Sequence, residues 1–164
     1  MLFFMPPHAF SAEYLEEFKK EFDDAGQVMH GSGGMDDYAT VQEWLDDRPW
    51  SRTNGNFVFF TWDNVEERII GCVRISLHMV PGMVTEHGFN VGYSIRPSMQ
   101  GQGYGNRQFR TIMEFLKSFG PKTFMVAADE DNVASWKIIE KFGGQRVDAI
   151  TDGRVYTIDL SKEV

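Results

Sequence analysis

Val91-Gly92-Tyr93-Ser94-Ile95-Arg96-Pro97-Ser98-Met99-Gln100-Gly101-Gln102-Gly103-Tyr104-Gly105-Asn106-Arg107 is the stretch on which the fold turns. It reads as a strand, a proline stop, a glycine-rich turn and the first residues of a helix. The glycines at 101, 103 and 105 lack a Cβ, so φ > 0 is allowed and a ligand can approach the backbone closely. A helix starting beyond them presents unpaired N–H groups and the positive end of its dipole. Together these features suit an anion, most naturally a phosphate or pyrophosphate. A Gly-x-Gly-x-Gly run is weak by itself, and the context gives it weight. No Gly-Lys-Ser/Thr follows, which excludes a Walker loop, and the glycine spacing does not match a dinucleotide fingerprint.

Downstream, Phe109, Ile112, Met113 and Leu116 form an i, i+3, i+4, i+7 stripe, which predicts a helix over about Tyr104 to Phe119. Gly120-Pro121 ends it. Thr123 to Ala128 is a short apolar strand, and strand–loop–helix–strand implies a right-handed crossover with parallel pairing. Asn132 is placed to cap a helix running from about Val133 to Phe142. Gln145 to Ile150 and Arg154 to Leu160 read as a final hairpin.

Upstream, Glu86 to Arg96 is a strand closed by Pro97, which cannot donate to a ladder. Asn56 to Trp62 and Arg68 to Leu77 are two strands with a link short enough for an antiparallel hairpin. Ser11 can cap a helix to about Asp24 whose Leu15, Phe18 and Phe22 share a face. Gly26 to Gly34 is a loop with four glycines, and a short helix is expected from about Asp36 to Asp46.

The chain has 164 residues, which favours a single domain. No apolar run approaches the roughly 18 residues that cross a membrane. The apolar start, Met1 to Pro7, lacks a basic region and a cleavage site, so no signal peptide is expected and a cytoplasmic location follows by default. Cys72 is the one cysteine, which rules out an intramolecular disulfide and a cysteine metal cluster. No metal site is expected. The net charge of −8 argues against a nucleic-acid partner, whose phosphates it would repel.

Gln100-Gly101-Gln102-Gly103-Tyr104-Gly105 resembles the Gln/Arg-x-x-Gly-x-Gly/Ala signature of the GCN5-related N-acetyltransferase superfamily. Ile95 and Pro97 match the hydrophobic-x-Pro that precedes it. Asn132, Ala134 and Lys141-Phe142-Gly143-Gly144 resemble the family's Asn-x-x-Ala helix and its ending. Gly92 to Ser98, with Asp129, Asp131 and Asn132, is further similar to a little-studied bacterial branch of predicted acetyltransferases. The resemblance implies an α/β domain of acyl-CoA N-acyltransferase fold over residues 1–164. Its sheet would be mixed and mostly antiparallel, with one splayed parallel strand pair and helices on both faces. Residues 1–55 would form a helical acceptor-side region and 56–164 the CoA-binding core.

The implied cofactor is acetyl-CoA. Backbone N–H groups in the run Gly101, Gln102, Gly103, Tyr104 and Gly105 would hold the pyrophosphate, and Gln100 would support the loop where many relatives carry arginine. Tyr93, Ser94 and Ile95 would pair with the pantetheine arm as an added strand. The Ile95 N–H would also stabilise the oxyanion. Asn132 and Ser135 would touch the pantetheine, although a plain cap explains Asn132 equally well.

The implied reaction is direct attack of a primary amine, on a small molecule or peptide, on the thioester. The amine must lose a proton, and Glu86 and His87 are the candidate bases, with Tyr93 an alternative. On a regular strand His87 shares a face with Phe89, Val91 and Tyr93, and the resemblance turns that face toward the acceptor. The tyrosine that often protonates the departing thiolate in this family falls on Ile139 here, which has no proton to give. That departure keeps open a CoA-binding module without catalysis, acting as sensor or scaffold. Tyr38, Trp44, Trp50 and the acidic pairs Asp36-Asp37 and Asp46-Asp47 could line a pocket for a cationic amine. Core aromatics and solvated carboxylates are the plainer reading. Homodimers are common in the family.

Overall fold

The computed structural model describes residues 1–50, 55–76, 89–147 and 153–162. Seven strands form one mixed sheet in the order β1-β2-β3-β4-β5-β7-β6. They are β1 (Leu2–Met5), β2 (Asn56–Asp63), β3 (Arg68–Ser76), β4 (Phe89–Ile95), β5 (Thr123–Ala128), β6 (Gln145–Val147) and β7 (Arg154–Asp159). The helices are α1 (Ala12–Ala25), α2 (Val41–Asp47), α3 (Tyr104–Lys117) and α4 (Val133–Lys141). Among the described residues no helix is long and apolar enough to cross a membrane. The chain divides into two compact units, Met1–Ile75 with Gly92–Tyr104 and Ser76–Val91 with Gly105–Val164.

In the first unit, α1 starts where Ser11 Oγ accepts the Tyr14 N–H at 3.2 Å. It stops at Gly26, which takes a left-handed φ of 63°. Its buried Leu15, Phe18 and Phe22 join Val41 and Trp44 of α2, Val58 and Phe60 of β2, and Ile69 and Cys72 of β3 in one core. Helix α2 begins later than the sequence suggests. Met35–Asp37 forms a separate 3-10 turn, and Thr40 caps the helix by accepting the Glu43 N–H at 3.1 Å. A β-hydroxyl just before the first buried position was the better start signal than the acidic pair. Strand β1 is new relative to the sequence reading. It pairs antiparallel with β2 from Leu2↔Asp63 to Met5↔Phe60. Four residues ending at Pro6-Pro7 offer no alternation from which a strand can be read.

In the second unit, β4 pairs parallel with β5 through Phe89↔Phe124, Asn90↔Met125 and Val91↔Val126, as the crossover argument requires. Helix α3 buries the predicted stripe Phe109, Ile112, Met113 and Leu116. Phe109 packs on Phe124 and on Phe142, with ring centres 6.1 and 5.2 Å apart. The helix ends at Lys117 rather than Phe119, whose side chain is 63% exposed. Strand β7 pairs antiparallel with both β5 and β6.

Candidate active site

The site is built outward from the end of β4. The Arg96 N–H donates to the Ile70 carbonyl of β3 at 2.8 Å. Backbone groups alternate along a strand, so the Ile95 N–H points to the opposite edge, away from β3. The Ile95 carbonyl, in the same peptide plane as the Arg96 N–H, points outward too. It accepts from Gln100 Nε2 at 2.9 Å. Gln100 also exchanges amide hydrogen bonds with Gln27, at 2.6 and 3.2 Å. The side chain of Gln100 therefore ties the turn to both β4 and the end of α1.

Pro97–Met99 forms a 3-10 turn, and Gln102 Nε2 donates to the Ser98 carbonyl at 3.0 Å. The turn is anchored from below. Arg96, 3% exposed, pairs with Glu21 of α1 at 2.7 Å and donates to the Ile69 carbonyl at 2.9 Å. Glu21 also accepts the Ser98 N–H. Burial pushes the Glu21 pKa up, but the hydrogen bonds from Ser98 and Arg96 outweigh it and hold the carboxyl below its ordinary value. An arginine at the strand's end thus fixes the loop instead of meeting the ligand.

Gly101 and Gly103 have φ of +73° and +84°, and a Cβ at either would meet no atom within 4 Å. The loop is therefore an open backbone surface. Gly105 differs from the expectation of a third loop glycine. It lies inside α3, and a Cβ there would come 2.8 Å from Ile138 Cδ1 of α4, so its smallness serves helix packing. Tyr104 is buried with Ile70, Ile95 and Met99.

The opposite face of β4 is covered by the Gly26 to Gly34 loop. Cys72 Sγ donates to the His30 carbonyl and touches Ser94 Oγ, both at 3.3 Å. Burial pushes the Cys72 thiol up to about 12, so it is an inert core thiol. A Cβ on Gly31 would lie 2.5 Å from the Gly92 carbonyl oxygen, so two backbones cross closely here. By alternation Tyr93 points away from the face that holds Gly92 and Ser94.

In the second unit, Asn132 caps α4 by accepting the Ser135 N–H at 3.4 Å, and both residues are half-buried. Ile139 is fully buried. The proposed bases Glu86 and His87 lie outside the described residues, as does His78. Trp44 is a core residue that donates to the Gly33 carbonyl at 3.4 Å and packs at a tilt against Trp50. The Tyr38 hydroxyl donates to Asp47. Asp36, Asp37, Asp46 and Asp47 are exposed. Among the described residues no group of His, Cys, Asp and Glu could hold a metal.

The model of the acetyltransferase (GNAT) domain matches residues 8–145. The chain belongs to this family. GNAT enzymes transfer acetyl groups from acetyl-CoA to amines. No curated protein matches the chain. Among solved structures, a chimera based on the Vibrio cholerae spermidine N-acetyltransferase matches with a TM-score of 0.72 and 12% identity, over 98% of this chain and 96% of that one. The Campylobacter jejuni N-acetyltransferase PseH, solved with acetyl coenzyme A, matches with a TM-score of 0.67 and 12% identity, over 97% and 99%. A ribosomal-protein-serine acetyltransferase candidate from Vibrio cholerae reaches 0.66 and 18%, over 92% and 90%. At these identities the likeness shows the GNAT fold alone.

Sequence reasoning did not find Gln27, Glu21 or Gly31, which position this GNAT loop and strand. Each acts on a residue more than 60 positions away, and only Gly31, in its glycine-rich run, left a local signal.

Proposed function

We propose that the chain binds acetyl-CoA on the outer edge of β4 and the adjoining glycine loop, and transfers the acetyl group to a primary amine by direct attack. The observation that carries this reading is an outward-pointing backbone donor beside an open glycine turn. The Ile95 N–H points to the edge of β4 away from β3, and Gly101 and Gly103 expose backbone with no atom within 4 Å of their missing Cβ. A strand edge suits an extended amide-bearing arm, and an open glycine turn at a helix start suits a pyrophosphate.

Acetyl-CoA supplies the activated acyl group. Tyr93, Ser94 and Ile95 hold the arm along the strand, and the Ile95 N–H donates to the thioester carbonyl oxygen as negative charge gathers there. Gly101 to Gly105 hold the phosphates, and Asn132 and Ser135 touch the arm. Glu86 or His87 takes the proton from the amine. Ile139 cannot return a proton to the sulfur, so water or another group does.

Calorimetry with acetyl-CoA tests the binding reading. Gly103→Glu places a bulky anion on the open turn and abolishes binding while the circular dichroism stays native; unchanged affinity in that variant sinks the loop assignment. Release of CoA thiol with amino acids, polyamines and basic peptides then tests turnover. The alternative, a CoA-binding module without catalysis, is favoured by the buried isoleucine at position 139. Tight acetyl-CoA binding with no thiol release from any acceptor would establish it.

A further inference from the structure

Arg74 of β3 stands apart from the other arginines that the fold holds. Arg96 is matched by Glu21 and the Ile69 carbonyl. Arg154 pairs with Glu130 at 2.8 Å and lies 3.9 Å over the Trp136 ring. Arg74 is half-buried, its Nε is enclosed without a hydrogen-bond partner, and among the described residues no carboxylate pairs with it. This holds in a chain whose Asp and Glu outnumber Lys and Arg by 24 to 16. An uncompensated guanidinium in a half-buried site is costly, because burial removes water that it does not replace. Burial lowers the pKa of Arg74.

Its position is informative. One guanidinium nitrogen lies 3.6 Å from where a Cβ of Gly92 would be. Cys72 and Ser94, which touch each other, lie two residues from Arg74 and from Gly92. The four residues therefore share the face of β3 and β4 that the Gly26 to Gly34 loop crosses. The same Gly92 Cβ would lie 3.5 Å from the Gly31 backbone, so the Gly26 to Gly34 loop passes directly beside the guanidinium. Ile95 is three residues further along the same strand, roughly 10 Å away.

We propose that Arg74 recognises an oxyanionic group, a carboxylate or a phosphate, on the amine acceptor. The inference rests on the acetyl-transfer reading and names the acceptor class: an amine that carries an anion a few bonds away, with that anion on the face of Gly92 and Ser94 and not on the Tyr93 face that the resemblance turned toward the acceptor. The planar guanidinium fork matches either oxyanion, and its charge gains the counter-charge that no described carboxylate supplies. Such an acceptor differs from the cationic amine that the acidic N-terminal third suggested.

The test uses acceptors matched in the amine and differing in the anion: β-alanine and γ-aminobutyrate against their amides, and O-phosphoethanolamine against ethanolamine. The wild-type protein is expected to favour the anionic member of each pair in kcat/KM; the carboxylate and phosphate arms show which oxyanion is preferred. Arg74→Gln raises KM for the anionic acceptors by roughly tenfold or more, the usual loss for a charge-assisted bond. It leaves the neutral acceptors and the acetyl-CoA Kd unchanged, and Arg74→Lys recovers part of the loss. Equal rates across each pair, or equal losses on both members in Arg74→Gln, overturn the proposal. If Arg74→Gln does not fold, or no acceptor turns over, calorimetry of the wild-type acetyl-CoA complex with succinate and O-phosphoethanolamine decides, and no heat from either overturns it. Failure to bind acetyl-CoA at all strikes the acetyl-transfer reading itself; binding without an Arg74 effect strikes only this inference.

Discussion

A methyl group added at Gly103 would meet no atom within 4 Å, yet the backbone there has φ +84°. The cost of Gly103→Ala is therefore conformational alone, about 1–2 kcal/mol for a left-handed residue with a side chain. Gly105, two positions on, lies in a helix, where alanine gains about 1 kcal/mol in propensity. Its new methyl would come 2.8 Å from the tip of the flexible Ile138 side chain, which can turn aside. Urea unfolding should place Gly105→Ala within about 1 kcal/mol of the wild type and Gly103→Ala clearly below it. Gly31→Ala is the severe case. Its methyl would lie 2.5 Å from a backbone oxygen at φ +82°, so neither partner can yield cheaply. A loss above about 2 kcal/mol is expected, since the steric clash adds to the left-handed strain. Similar losses at all three positions would show that the open and crowded glycines had been misassigned.

At the scale of elements, one carboxylate of α1 grips the turn after β4 at two points. Glu21 accepts from both Arg96 and Ser98. Its folded pKa lies below the ordinary 4.5. A depressed carboxyl contributes stability that is complete above its unfolded pKa and is lost as pH falls through the lower folded value. Glu21→Gln should thus flatten the decline in stability below about pH 4.5. At neutral pH it should cost about 3 kcal/mol, because Arg96 stays buried with its main partner gone. Denaturant melts across pH 3 to 7 check both; an unchanged acid profile refutes the clamp. The neighbouring tie, Gln100 to Gln27 and to the Ile95 carbonyl, is more exposed, and on the proposed reading it supports the cofactor loop. Gln100→Ala should weaken acetyl-CoA binding several-fold with little change in melting, as expected for losing neutral hydrogen bonds of about 1 kcal/mol each.

These elements also show what a sequence can reveal. The α3 stripe, the Ser11 and Asn132 caps and the β5 strand follow from periodicity and local hydrogen bonding, so residues close in the chain disclose them. Strand β1 and the late start of α2 escaped because one depends on a partner more than 50 residues away and the other on a hydroxyl masked by two acids. In the turn after β4, the glycine run at 101 and 103 was legible as a loop, while Gly105 was not legible as a helix-packing residue. The Glu21 clamp and the placement of Arg74 beside Gly92 were not, since pairing across strands sets them.

Across the whole molecule, the chain passes between its two compact units inside β4, with Phe89 to Val91 in one and Gly92 to Ile95 in the other. Neither unit can unravel that strand without loosening an element the other uses, so a single cooperative unfolding transition is expected. Cys72 makes this measurable. It is the one thiol in the chain, fully buried, with a pKa of about 12. Only about one molecule in ten thousand would carry a thiolate at pH 8 even if the sulfur were reachable. A thiol reagent should therefore leave the native protein unmodified and label it only when the first unit opens. Trp136 lies in the second unit, under Arg154. In a variant with Trp44, Trp50 and Trp62 changed to phenylalanine, its fluorescence reports that unit alone. The urea midpoints for Cys72 labelling and Trp136 fluorescence should coincide within error. Labelling at a lower urea concentration than the fluorescence change would mean that the first unit opens by itself, and that the shared strand does not couple them.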